Sequence, residues 1–231
     1  MSEININICE LIKFFDEDKN ARPHSSAIKA LAGEELGFAL LLNYLKRENY
    51  TARLLNQPCT TGHRQGNQLD GWVEVQANSN SPNIFYQVEV KSWSFHGVGP
   101  GTLPMPLECT ARQLKAYKKK IWRAYWANGA FTQESLNKVL TPMAPPVDKA
   151  VTLPLACVWA ALHPKGESLE FFEQKLDGHD VFDKVAIFSM SSFLRNLVKK
   201  RDLNLSLEMP FTSERIAYLS RLFPQQRPTS Q

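Results

Sequence analysis

The chain is poor in cysteine. Its four, Cys9, Cys59, Cys109 and Cys157, form no C-x-x-C pair, so a zinc or iron–sulfur site has no local support and reduced structural thiols are expected. It also has no apolar run near the ~20 residues that a membrane helix needs; the longest stretch, Leu153 to Leu162, reads as a buried strand. No basic segment followed by an apolar core opens the chain, which excludes a secretory signal by pattern and leads to the expectation of a cytoplasmic protein with no membrane partner. A phosphate-binding glycine loop ending in Gly-Lys-Ser/Thr, a zinc-finger spacing and an internal repeat are all missing, which removes the P-loop, finger and solenoid classes. Charge of one sign is in small excess only: 27 Lys and Arg against 23 Asp and Glu give +4 and a pI near 8.8. That suits a polyanion partner without requiring one.

What is present is enough for a core. With 231 residues, 43% of them hydrophobic, the simplest organisation is an N-terminal helical extension over residues 1–24, one domain over 25–224 and a disordered tail over 225–231. The extension is expected to hold a helix from Ile6 to Phe15.

The chemistry concentrates at Asp70 and Glu89-Val90-Lys91. Asp70 and Glu89 are 19 residues apart, the separation that two paired strands and a turn require. Residues 70–76 read as one strand, 84–91 as the next, and the polar Ala77 to Asn83 as the turn. Period-two alternation puts Phe85, Gln87, Glu89 and Lys91 on one face and Tyr86, Val88 and Val90 on the other. An acid and a lysine side by side at the end of an apolar strand, with a second acid from the neighbouring strand, is costly unless a cation or substrate uses it. Two carboxylates suit Mg²⁺ or Mn²⁺, and a lysine beside them can orient water or offset charge on a phosphate.

Glu-x-Lys alone carries little, because it occurs three times, at Glu17-Asp-Lys19, Glu89-Val-Lys91 and Glu173-Gln-Lys175. The first lies in a charged stretch, and the third reads as a solvated loop or helix face. Only the middle copy ends a β-type run with an acid at hairpin distance upstream.

Ser25 or Ser26 can cap a helix running to about Glu48, with Ile28, Leu31, Ala32, Phe38, Ala39, Leu42 and Leu45 on one side. Glu35 falls near the middle of this apolar stripe and Glu34 at its edge. Glu35 is therefore the preferred third carboxylate and Glu34 the alternative. Tyr50 to Leu55 reads as the first strand, and the loop leading to Asp70 carries His63 and Arg64, able to reach phosphate or a base edge. After Lys91 comes a glycine- and proline-rich loop with Trp93 and Phe95, available for stacking. A helix over 110–127 follows, basic through Arg112, Lys115, Lys118, Lys119, Lys120 and Arg123. Thr141 to Pro146 reads as a loop or lid-like insertion. Val151 to Leu162 and Lys184 to Met190 read as strands, and Phe193 to Arg201 as a helix capped by Ser191 or Ser192. The sum is an α/β protein with a mixed central sheet flanked by helices.

These residues, in this order, resemble the PD-(D/E)XK nuclease superfamily with its restriction-endonuclease-like fold: Gly33-Glu34-Glu35 on a first helix, Asp70 opening a strand, Glu89-Val90-Lys91 on the next, then a helix. Gln113-Leu-Lys-Ala-Tyr117 is similar to the Gln-x-x-x-Tyr motif of RecB-type members, and no other glutamine here has a tyrosine four residues on. Leu69 stands where the name-giving proline would be, and the three clustered C-terminal cysteines of the iron–sulfur relatives are absent. The resemblance covers about residues 25–130. It implies a Mg²⁺- or Mn²⁺-dependent DNA nuclease of restriction, anti-phage defence or DNA repair. Asp70, Glu89 and Val90 would be the metal ligands, and Lys91 with Glu35 or Glu34 would complete the catalytic set. Gln113, Tyr117, Lys118, Lys119 and Lys120 would contact substrate, and a homodimer or a defence-system partner would fit. The alternatives are a binding or interaction module of the same fold without catalysis, and a ribonuclease.

Overall fold

The computed structural model describes residues 3–16, 25–55, 69–76, 82–91, 139–148, 150–161, 169–176 and 180–223. Strand β1 (Glu3–Asn7) leads into helix α1 (Ile8–Asp16) and then α2 (Ser25–Arg47). Asn49, at φ 65°, turns the chain out of α2, with Tyr50 N donating to Leu45 O at 2.9 Å. Asparagine tolerates this left-handed conformation at a helix end better than most residues. Three strands follow as an antiparallel meander, β2 (Thr51–Leu55), β3 (Gly71–Gln76) and β4 (Ile84–Lys91). Strand β5 (Val151–Val158) then pairs parallel to β4, which demands a crossover connection rather than a hairpin.

Beyond it, β6 (Phe171–Lys175) and β7 (Lys184–Ser189) pair antiparallel, and β7 lies parallel to β5. The six strands run in the order β2-β3-β4-β5-β7-β6. Helix α3 (Met190–Lys199), strand β8 (Asn204–Glu208) and helix α4 (Pro210–Leu222) close the described chain, with β8 paired antiparallel to β1. The protein is thus a mixed α/β structure, and among the described residues no helix is long and apolar enough to cross a membrane.

Alternation in the strands sorts the core into two layers. Tyr86, Val88 and Val90 of β4 join Leu155 and Cys157 of β5 under α1, α2 and α3. Phe85 joins Trp72, Ala156, Val158 and Ile187 on the opposite face, where Val139 and Leu140 also pack. Both sheet faces are buried, which is why β5 and β7 read as continuous apolar runs rather than alternating ones.

Several elements differ from the sequence reading. The expected helix from Ile6 starts at Ile8, because Glu3-Ile-Asn-Ile-Asn7 alternates with period two and finds its strand partner at Asn204–Glu208. Ile8 and Ile12 are fully buried in the main core, so residues 3–16 are packed into the body. Glu173-Gln-Lys175, read as a loop or helix face, lies in the edge strand β6, where Glu173 pairs with Lys184 of β7 at 2.9 Å. The strand expected to reach Leu162 ends at Val158, and α3 starts at Met190 instead of Phe193. Ser189 occupies the N-cap position without a capping side-chain bond; its hydroxyl donates to Ser192 Oγ at 2.9 Å and accepts from Ala161 N at 3.1 Å. The expected helix over 110–127, the link over 17–24 and the tail over 225–231 lie outside the described residues.

Candidate active site

The β3–β4 register fixes the two acids. Trp72 aligns with Gln87 and Gly71 with Val88, so one further step sets Asp70 opposite Glu89. Asp70 Oδ2 accepts a hydrogen bond from Val90 N at 2.6 Å, which seats the carboxylate on the peptide joining Glu89 to Val90. Asp70 is half-buried, whereas Glu89 is only 1% exposed. Withdrawing carboxylates this far from water is expensive without compensating partners. Lys91 is the last residue of β4, aligned with Val158 of β5.

Gln87, two residues before Glu89, is fully buried. Its amide donates to Val139 O and to Thr141 O, the latter at 3.0 Å, and its carbonyl oxygen accepts from Met143 N at 3.2 Å. It therefore fastens the returning end of the β4–β5 connection, and Thr141 and Met143, expected in a loop or lid-like insertion, are held by it. The sequence reading placed Gln87 on Glu89's face and gave it no role. The available signal was an amide at an inward position of an otherwise apolar strand, which must find partners.

Helix α2 crosses the opposite face at Gly37, where a Cβ would overlap the Cγ1 of Val90. Gly37 O also receives Cys157 Sγ at 3.6 Å, while Gly71 leaves room for the Phe38 ring. These contacts fix the rotation of α2 and so the directions of its two glutamates. At ~100° per residue, Glu35 lies about 200° around the helix from Gly37, away from the sheet. Its carboxylate is turned to the start of α4, accepting from Phe211 N at 2.9 Å, Thr212 N at 2.6 Å and Thr212 Oγ1 at 2.6 Å. The preferred third acid of the sequence reading is thus partnered by a helix N-terminus. Glu34 is exposed and lies about 60° around the helix from the Gly37 direction.

The donors fit a hard cation. Asp70 and Glu89 supply carboxylate oxygens and Val90 a main-chain carbonyl, a set that suits Mg²⁺ or Mn²⁺ and offers neither sulfur nor imidazole. Among the described residues no group of three or more His, Cys, Asp or Glu could hold a metal ion, so the fit rests on two acids and the main chain. Cys157, beside Val90 across the β4–β5 pair, is no rival nucleophile. Burial, and then the negative charge of Asp70, push its thiol far above the ordinary range, and only a thiolate attacks.

Gln113, Tyr117, Lys118, Lys119 and Lys120 lie outside the described residues, as do His63, Arg64, Trp93 and Phe95. Comparison of the chain with family models, with curated proteins and with solved structures finds no match.

Proposed function

We propose that this chain is a metal-dependent nuclease that hydrolyses phosphodiester bonds in DNA, built on a restriction-endonuclease-like fold. The observation that carries the reading is the seating of Asp70 against the Glu89–Val90 peptide at 2.6 Å, which joins an acid from the head of β3 to the Glu-x-Lys end of β4. The element order supports it: a helix carrying Glu34 and Glu35, then paired strands, the second headed by Asp70 and the third ending in Glu89-Val90-Lys91, is the order the motif resemblance implies.

In this reading Asp70, Glu89 and the Val90 main chain would hold Mg²⁺ or Mn²⁺, which when bound polarises a phosphoryl oxygen and acidifies a bound water. Lys91 orients water or offsets charge developing on the phosphate. Glu34 completes the acidic set from α2 in place of Glu35. Gln113 and Tyr117 contact the substrate strand, and Lys118, Lys119 and Lys120 follow its phosphates. A cytoplasmic enzyme of restriction, anti-phage defence or DNA repair is the setting this chemistry suits.

The test is cleavage of circular DNA, linear DNA and matched RNA by the purified chain, with Mg²⁺ or with chelator. Metal-dependent loss of DNA that Asp70→Asn abolishes supports the reading. Full activity in chelator overturns the metal, cleavage of RNA alone makes the chain a ribonuclease, and binding without cleavage makes it a binding module.

A further inference from the structure

Helices α2 and α3 end side by side, and both end in the same way. After α2, Asn49 N donates to Lys46 O at 3.1 Å and Tyr50 N to Leu45 O at 2.9 Å; after α3, Arg201 N donates to Val198 O at 2.9 Å and Asp202 N to Leu197 O at 3.0 Å. These paired bonds are Schellman motifs, which need one residue past the helix in the left-handed conformation, most often glycine and sometimes asparagine. Asn49, at φ 65°, meets that need after α2. After α3 the position is held by Arg201, at φ 63°, where a Cβ crowds the following carbonyl oxygen and asparagine's local hydrogen bonding is not available. Backbone strain of this kind persists where the side chain concerned is used.

What Arg201 adds is a further cation at a cationic end of the molecule. Lys46 and Arg47 close α2, Lys199 and Lys200 close α3, and all five of these residues are exposed. Arg47 Nη2 binds Asp202 Oδ2 at 2.8 Å, which ties the turn after α3 to the end of α2 and brings the two sets together. Of the acids near this end, Asp202 is engaged by Arg47 and Glu170 accepts from Asn196; with Glu48 they leave positive charge in excess. Lys199 and Lys200 alone would be ordinary partners of the α3 dipole. A third cation at the one position of the motif where a side chain is costly needs another reason.

We propose that Lys46, Arg47, Lys199, Lys200 and Arg201 form a phosphate-binding surface for a nucleic-acid backbone, separate from the candidate active site. Exposed lysines and arginines gathered at one end complement a polyanion. The surface lies at the far end of the sheet: α2 leads into β2 at Thr51, which pairs with Gln76, the end of β3 away from Asp70. The choice of a nucleic acid as the polyanion rests on the proposed function, whereas the anion surface stands on the two helix ends alone.

Binding of duplex DNA of mixed sequence to the full chain, in chelator and over a salt series, tests this beside thermal unfolding. Arg201→Gly relieves the left-handed strain, so it should leave the thermal midpoint unchanged or higher. The same variant should weaken DNA binding at least about threefold at low salt and make the dependence of log affinity on log salt shallower by about one. Arg201→Lys, which keeps the cation, should bind within about twofold of wild type. The triple variant K199A/K200A/R201G should make the salt dependence shallower by about two to three. Affinity and salt dependence unchanged in both Arg201→Gly and the triple variant would overturn the surface, as would tighter binding of the wild type to vesicles of anionic lipid than to DNA. Because no cleavage is read, a chain that binds DNA through these residues but never cuts it supports the surface and sinks only the nuclease; a chain that cuts DNA yet ignores these substitutions does the reverse.

Discussion

The Asp70 carboxylate and the Val90 main-chain amide are hydrogen-bonded across the β3–β4 hairpin at 2.6 Å. Asp70 thus has a structural partner as well as the proposed role at the metal, and the two can be separated. Asp70→Asn keeps an oxygen acceptor for Val90 N and removes the charge, so it should lose cleavage with little change in thermal midpoint. Asp70→Ala should lose cleavage and also about 1–2 kcal/mol of stability, the cost of an orphaned, partly buried amide. Chemical denaturation beside a cleavage assay reads both, and a fully active Asp70→Asn would remove Asp70 from the site.

Gly37 should tolerate no side chain. Alanine is worth ~1 kcal/mol over glycine in a helix interior, yet its Cβ would overlap the Val90 side chain, and overpacking costs roughly 1–3 kcal/mol. Gly37→Ala is therefore expected to destabilise, and Gly37→Ala with Val90→Ala to recover part of the loss. Additive effects in that double-mutant cycle would show that the contact is not the cause.

The two glutamates of α2 should part company. Glu35→Ala is expected to cost about 1.5–3 kcal/mol, the worth of hydrogen bonds to a charged group, and to increase hydrogen exchange at Phe211 and Thr212. Glu34→Gln should leave stability within about 0.5 kcal/mol, as at other exposed positions, while reducing cleavage. If Glu35→Gln cuts turnover more than Glu34→Gln does in samples of equal folded fraction, the third acid returns to Glu35.

Alkaline pH should loosen the core through Tyr86. Burial, and then the negative charge of Glu173, push its phenol up to about 12 from 10.0, so the folded state holds the proton more tightly than the unfolded state does. The stabilisation is intact below pH 10 and is lost as pH rises from 10 toward 12. Tyr44, also pushed up to about 12 by burial and then by Glu48, contributes in the same direction. Denaturation midpoints should fall across this window, and less steeply for Tyr86→Phe. Parallel slopes for the two proteins would mean that the loss arises elsewhere.

The juxtaposition of Asp70 and Glu89, the Glu-x-Lys strand and the meander around them were legible in the sequence because they are local. Alternation from Ile84 to Lys91 and a hairpin-length gap back to Asp70 need only the neighbouring residues to be read, and β4 spans the expected residues. The parallel partner β5 and the buried β7 were legible as apolar runs for the same reason. Contacts between distant segments decided the rest. Residues 3–7 became a strand because Asn204–Glu208 lies beside them, and Phe171 to Lys175 joined the sheet because β7 offered it an edge. Periodicity placed Glu35 on the inner side of its helix, but it could not distinguish a metal from the amides of Phe211 and Thr212. Only tertiary packing supplied that choice, through the Gly37–Val90 contact that sets how α2 is rotated over the sheet and through the seating of α4 against Glu35.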